Sequence, residues 1–206
     1  MVIITKKAVL VPHPMYRQGT RLTAVIPDPE TEFGTWMASL APGHAVGLVD
    51  WGDGTIEPLY GSNTHVYVQP GTYHVVISDD FAVLGFSTNY AKFLTSAVSN
   101  AQNLVELPSS AFSGGVQLAE LDLRLTSINK IGAFAFTNCT ALIGEFYFPE
   151  VRALTGAAKA MAPFKNCTGI TKLHFAAKHK DSITACAIYK ADPSLGTVTG
   201  ECVFDL

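Results

Sequence analysis

Two hydrophobic rhythms divide the chain. Up to about residue 80, short apolar runs alternate with polar positions, as in Leu22-Thr23-Ala24-Val25-Ile26, Ala45-Val46-Gly47-Leu48-Val49 and the stretch from His65 to Ile77. Such alternation places successive side chains on opposite faces and predicts half-buried β-strands. Asp53-Gly54 marks a two-residue hairpin, and Pro70-Gly71 a type II turn joining a second one. Across that second hairpin Val66 and Val68 are expected to share a face with Tyr73, Val75 and Ile77. Hairpin, loop, hairpin suggests an antiparallel sandwich.

After residue 80 the rhythm becomes a repeat. Ala-Phe-Thr-Asn-Cys-Thr-Ala-Leu (135–142) aligns with Pro-Phe-Lys-Asn-Cys-Thr-Gly-Ile (163–170) at an offset of 28, matching Phe136 with Phe164, Asn138 with Asn166 and Cys139 with Cys167. In both, the aromatic precedes an apolar anchor by six residues; Phe112 and Leu118 repeat the step, and Val98 and Leu104 repeat it more weakly. The intervals between leading residues are 14, 24 and 28, so the first rung reads as truncated or as a cap. Each anchor leads into an apolar pair: Leu121 with Leu123, Leu173 with Phe175, and Phe146 with Phe148 after one inserted residue. This is the L-x-x-L-x-L pattern of a leucine-rich solenoid, with the pair inward and the residue between them outward. Further on, Asp181 or Ser182 could cap a short helix through Tyr189, and Pro193 and Gly196 a turn. A last strand would then close the stack, with Cys202, Phe204 and Leu206 inward.

Composition narrows the function classes. Only 15% of the 206 residues are charged and 48% are hydrophobic, which suits a packed, mainly β core with short helices. The net charge of −3 carries no basic run, so no nucleic-acid partner is expected. No apolar stretch reaches the roughly 18 residues of a membrane span, so membrane insertion is not expected. The opening MVIITKKAVLV has its lysines inside the apolar run and does not read as a secretory signal. No G-x-S-x-G, H-E-x-x-H, Walker loop or G-x-G-x-x-G is present. The expectation is a non-enzymatic chain without a cofactor.

The segment W-G-D-G-T (51–55) followed by H-x-Y-x-x-P-G-T-Y-x-V-x-I (65–77) resembles PKD-type domains, small immunoglobulin-like sandwiches of surface and extracellular proteins. The resemblance implies a core role for Trp51 and turn-holding hydrogen bonds for the Asp and His residues. AFTNCTAL and PFKNCTGI resemble the A-F-x-N-C-x-x-L text of BspA-like leucine-rich repeat surface proteins. Together they imply a PKD-like β-sandwich over 1–80 and an irregular solenoid with a C-terminal cap over 81–206. They imply an extracellular, cell-surface or phage-particle setting, with adhesion to a protein or glycan on a host or bacterial surface. A structural spacer and an accessory region of a secreted hydrolase are the alternatives.

The outward positions of the repeats carry the candidate site. Glu106, Glu120 and Glu145 precede the apolar pairs and would form one column with Lys172. Asp122, Tyr147 and His174 would form the next, continued by Asp205, and Arg124 starts a third with Pro149 and Ala176. The binding face is therefore assigned to Glu120, Asp122, Arg124, Glu145, Tyr147, Lys172 and His174. Asp50, Asp53, Asp79 and Asp80 could be read as a calcium site, but turn chemistry at 50–53 and a domain boundary at 79–80 account for them more simply. Cys139 and Cys167 read as buried rung thiols, whereas Cys186 and Cys202 could pair. Asn138 and Asn166 stand in glycosylation sequons but are more simply side chains bonding backbone in a solenoid turn.

Overall fold

A computed structural model describes residues 17–155, 162–183 and 201–206. The expected N-terminal apolar run, the turn at Pro193 and Gly196, residue Cys186 and the helix beyond Ile183 lie outside the described residues.

The chain is mainly β and winds into a β-solenoid of about 4 turns. The N-terminal part supplies β1 (Gly19–Ile26), β2 (Thr31–Gly34), β3 (Met37–Leu40), β4 (Gly47–Asp50), β5 (Ile56–Leu59), β6 (Thr64–Tyr67) and β7 (Gly71–Ser78). Then come β8 (Phe81–Gly85), a short helix α1 (Ser87–Ala91) and β9 (Leu94–Ser99). The coils that follow alternate β10 (Glu106–Leu107), β11 (Glu120–Asp122), β12 (Lys130–Ile131), β13 (Gly144–Phe148), β14 (Ala153–Leu154) and β15 (Ile170–Phe175), and β16 (Glu201–Phe204) ends the stack.

Two sheets run through the boundary at residue 80. One has the order β11-β9-β1-β7-β4-β5, the other β14-β12-β10-β8-β3. β1 pairs antiparallel with β9, and the solenoid strands pair in parallel. The first coil is thus hydrogen-bonded to the N-terminal part, which covers the edge a solenoid must cap. At the other end β16 lies parallel to β15, with Phe204 against Phe175 at 5.8 Å. Cys202 and Phe204 pack on the core as expected, but Leu206 is 46% exposed because the strand has ended at Phe204.

The core is one continuous cluster whose spine is a column of phenylalanines. Phe86, Phe112, Phe136 and Phe164 follow one another at ring separations of 5.4, 5.2 and 4.9 Å. Phe33 extends the column into the N-terminal part, stacked on Phe86 at 6.2 Å. The leading residue of the first coil is therefore Phe86, not Val98, which lies on β9 beside Asp122. With Phe86 in place no truncated rung remains. Each ring sits in a turn whose backbone amide donates to the next coil: Phe86 to Ala111, Phe112 to Ala135 and Phe136 to Pro163.

Cys139 and Cys167 are buried, free thiols, and each donates to the carbonyl of a Phe one coil back, Phe112 and Phe136. The adjacent Cys139 thiol and burial both push the Cys167 thiol upward, so it stays neutral. Cys202 is disulfide-bonded. Asn138 and Asn166 hold left-handed backbone at φ 63° and 61°. Their side chains bond to each other, Asn166 Nδ2 donating to Asn138 Oδ1 at 2.7 Å, instead of to backbone. Stacking the two turns in register brings equivalent amides within reach, which the sequence of either turn alone does not show.

In the N-terminal part β4 and β5 form the expected hairpin, joined by five residues instead of two. The Trp51 amide donates to Thr55, and Gly52 takes φ 83° where a Cβ would lie 2.6 Å from the His74 carbonyl. The second hairpin does not form. β6 pairs with β2, while β7 pairs with β1 and β4. On β6 the inward residue is Tyr67, and Val66 and Val68 are exposed. The larger aromatic takes the core position and keeps its hydroxyl satisfied by donating to the Trp51 carbonyl at 2.7 Å.

Trp51 is fully buried, stacked on His65 at 5.2 Å, with its indole N–H donating to Glu57. His65 Nε2 lies 2.7 Å from Asp53, whose other oxygen accepts the Thr55 amide. Burial raises the Asp53 carboxyl, but the bonds from Thr55 and His65 outweigh it and leave the group below its ordinary value. Asp50 accepts the Gly52 amide, Asp79 the amides of Gln102 and Asn103, and Asp80 faces His44 at 2.7 Å. All four carboxylates of the calcium reading are engaged in turn and loop hydrogen bonds.

Candidate functional site

The strand face is built by two sheets that part between β11 and β13. β11 closes one sheet, whereas β13 opens a separate sheet of order β13-β15-β16. The residue inserted between Leu142 and Phe146 accounts for the break. Gly144 takes φ 97°, Ile143 is pushed out to 74% exposure, and the register of β13 against β15 shifts between Gly144 and Glu145. A bulge of this kind re-aims a strand. The result is a cleft of about 240 Å³ lined by Leu121, Leu123, Phe146 and Phe148, with Asp122, Arg124, Glu145 and Tyr147 along it.

The structure brings the expected columns together in part. Glu145 lies opposite Lys172, Tyr147 opposite His174, and Glu120 opposite Ser96 on β9. Glu106 is not in that column. It belongs to β10 on the other sheet, paired with Lys130 at 2.8 Å. The text Leu104-Val105-Glu106-Leu107 copies Leu118-Ala119-Glu120-Leu121 locally, but strands of both sheets need the same inward-outward pattern. Asp205 does reach His174, although the residue opposite His174 on β16 is Val203. The third column fails at Ala176, which is buried.

His174 is the centre of the face. It is buried, with Tyr147 stacked on its ring at 4.4 Å and 11°. Its Nε2 lies 3.1 Å from Glu145 and its Nδ1 2.9 Å from Asp205. Both ring nitrogens therefore face carboxylates, which fix the orientation of the ring. The ring positions Tyr147, whose hydroxyl donates to Glu145 at 3.3 Å. Lys172 binds the other Glu145 oxygen at 2.9 Å. The Lys172 ammonium, followed by His174, holds the Glu145 carboxyl below the ordinary carboxylate range, and Glu145 raises Lys172 in turn.

Across the cleft, Arg124 grips Asp122 through two side-chain bonds of 2.9 and 2.6 Å, lowering the Asp122 carboxyl. Ser96 donates to Glu120 at 2.6 Å. No family model, curated protein or solved structure matches the chain. What the face can do therefore rests on its own geometry. Solvent-exposed pairs of this kind contribute little to stability. They do hold a tyrosine along the cleft, between charges of both signs. In the sequence the cleft is marked by nothing but the single inserted residue before Phe146.

Proposed function

We propose that this chain is a non-enzymatic recognition module of a bacterial surface or phage-derived protein. It binds a protein or glycan outside the cell through the strand face of its solenoid. The observation that carries the reading is Tyr147, held by His174 and Glu145 at the edge of the cleft between β11 and β13. An aromatic with a polar tip, fixed in orientation, loses little freedom when a partner docks on it. Tyr147 and the paired charges around it form a small contact surface. The resemblances to PKD-type domains and to BspA-like leucine-rich repeats point the same way.

A structural spacer is the second reading, favoured by the mutual pairing of Asp122 with Arg124 and of Glu145 with Lys172. An array of glycans and host-surface proteins probed with the purified chain separates the two. A recognition module gives saturable binding to a restricted set of array members. A spacer gives none.

A further inference from the structure

The chain has two tryptophans, and their surroundings are opposite. Trp51 is fully buried, stacked and hydrogen-bonded. Trp36 is 44% exposed, although so large an aromatic surface is costly to leave in water. Its backbone is nonetheless fixed. The Trp36 amide donates to Gly85 at 2.9 Å, and the Ser62 hydroxyl donates to the Trp36 carbonyl. The indole is thus an exposed ring on an anchored strand end.

Beside it lies a cleft of about 310 Å³ lined by Trp36, Ser87, Thr88, Asn89 and Ser110. The lining holds no charged side chain. It offers hydroxyl and amide groups that both donate and accept. A cleft near the lower end of the range for small-molecule sites, about 300–1,000 Å³, fits a ligand of one or two rings. An ionic ligand would find no counter-charge there. A purely apolar one would leave the polar lining unsatisfied.

We infer that the cleft between Trp36 and the start of α1 is a binding subsite for an uncharged sugar. The apolar face of the pyranose ring would lie on the indole, and its hydroxyls would meet Thr88, Asn89 and Ser110. This subsite is independent of the strand face, since none of its residues belongs to β11, β13 or β15.

The test is saturation-transfer NMR on the full chain with glucose, galactose, mannose, N-acetylglucosamine, N-acetylgalactosamine, cellobiose, lactose and chitobiose, followed by tryptophan emission. At least one of these sugars is expected to bind through its ring protons and to change the emission. Trp36→Ala is expected to weaken that binding by at least about tenfold, with Tyr147→Ala leaving it unchanged. Should Trp36→Ala fail to fold, the double variant Asn89→Ala/Ser110→Gly, which suits the φ of 61° at Ser110, carries the same expectation. The inference is overturned if no panel sugar binds, or if binding survives these variants. It is equally overturned if binding is lost in Tyr147→Ala alone, which would place the sugar on the strand face.

Discussion

Asn138 and Asn166 show how much one backbone angle decides. Left-handed backbone costs an ordinary L-residue about 1–2 kcal/mol, and Asn and Gly are the residues that tolerate it. The equivalent position one coil earlier is Gly114, at φ 78°. Asn138→Gly should therefore lose little beyond the 2.7 Å bond from Asn166, while Asn138→Ala should lose about 1–2 kcal/mol more in urea unfolding. Asp53 makes a second prediction at this scale. Its folded-state pKa lies below the ordinary 3.8, so its contribution is fully present above that value and disappears as pH falls through the lower folded value. Asp53→Asn should flatten the fall in stability below pH 3.8 relative to the wild type, read from urea midpoints across that range. The turn role of Asp53 was legible from W-G-D-G-T, because Asp and Gly at that spacing have few other uses. The Asn138–Asn166 bond was not, since it joins two turns that only stacking brings together.

At the scale of elements, the phenylalanine column holds the coils in register. Phe136 is fully buried between Phe112 and Phe164, at 5.2 and 4.9 Å. Phe136→Ala should cost about 3–5 kcal/mol by chemical denaturation, as expected for a truncated core aromatic. Leu125→Ala, an exposed change, is the control. Phe112, Phe136 and Phe164 were readable because their spacing to Leu118, Leu142 and Ile170 is constant. Phe86 was missed because α1 intervenes before Leu94 and lengthens the step. The pairing of β6 with β2 was missed for a different reason. Alternation fixes which residues share a face, but neither which face is buried nor which strand lies alongside.

For the whole molecule, the sheets of the N-terminal part continue into the solenoid, and the two ends of the stack are covered by β1 and β16. The irregular feature between those ends is the bulge at Gly144, and the cleft opens there. A regular coil at that point would have extended one sheet across β11 and β13 and left a flat polar surface. The candidate residues Asp122, Glu145, Tyr147, Lys172 and His174 were legible because outward positions recur with the repeat. The cleft was not, because it depends on how one extra residue is absorbed. Recognition by the strand face is decided by isothermal titration of an array-identified ligand into the wild type and into Tyr147→Ala/His174→Ala. The double variant, folded by its thermal melt, is expected to bind at least about tenfold more weakly. Equal affinity for the two proteins would mean that the strand face is not the binding surface.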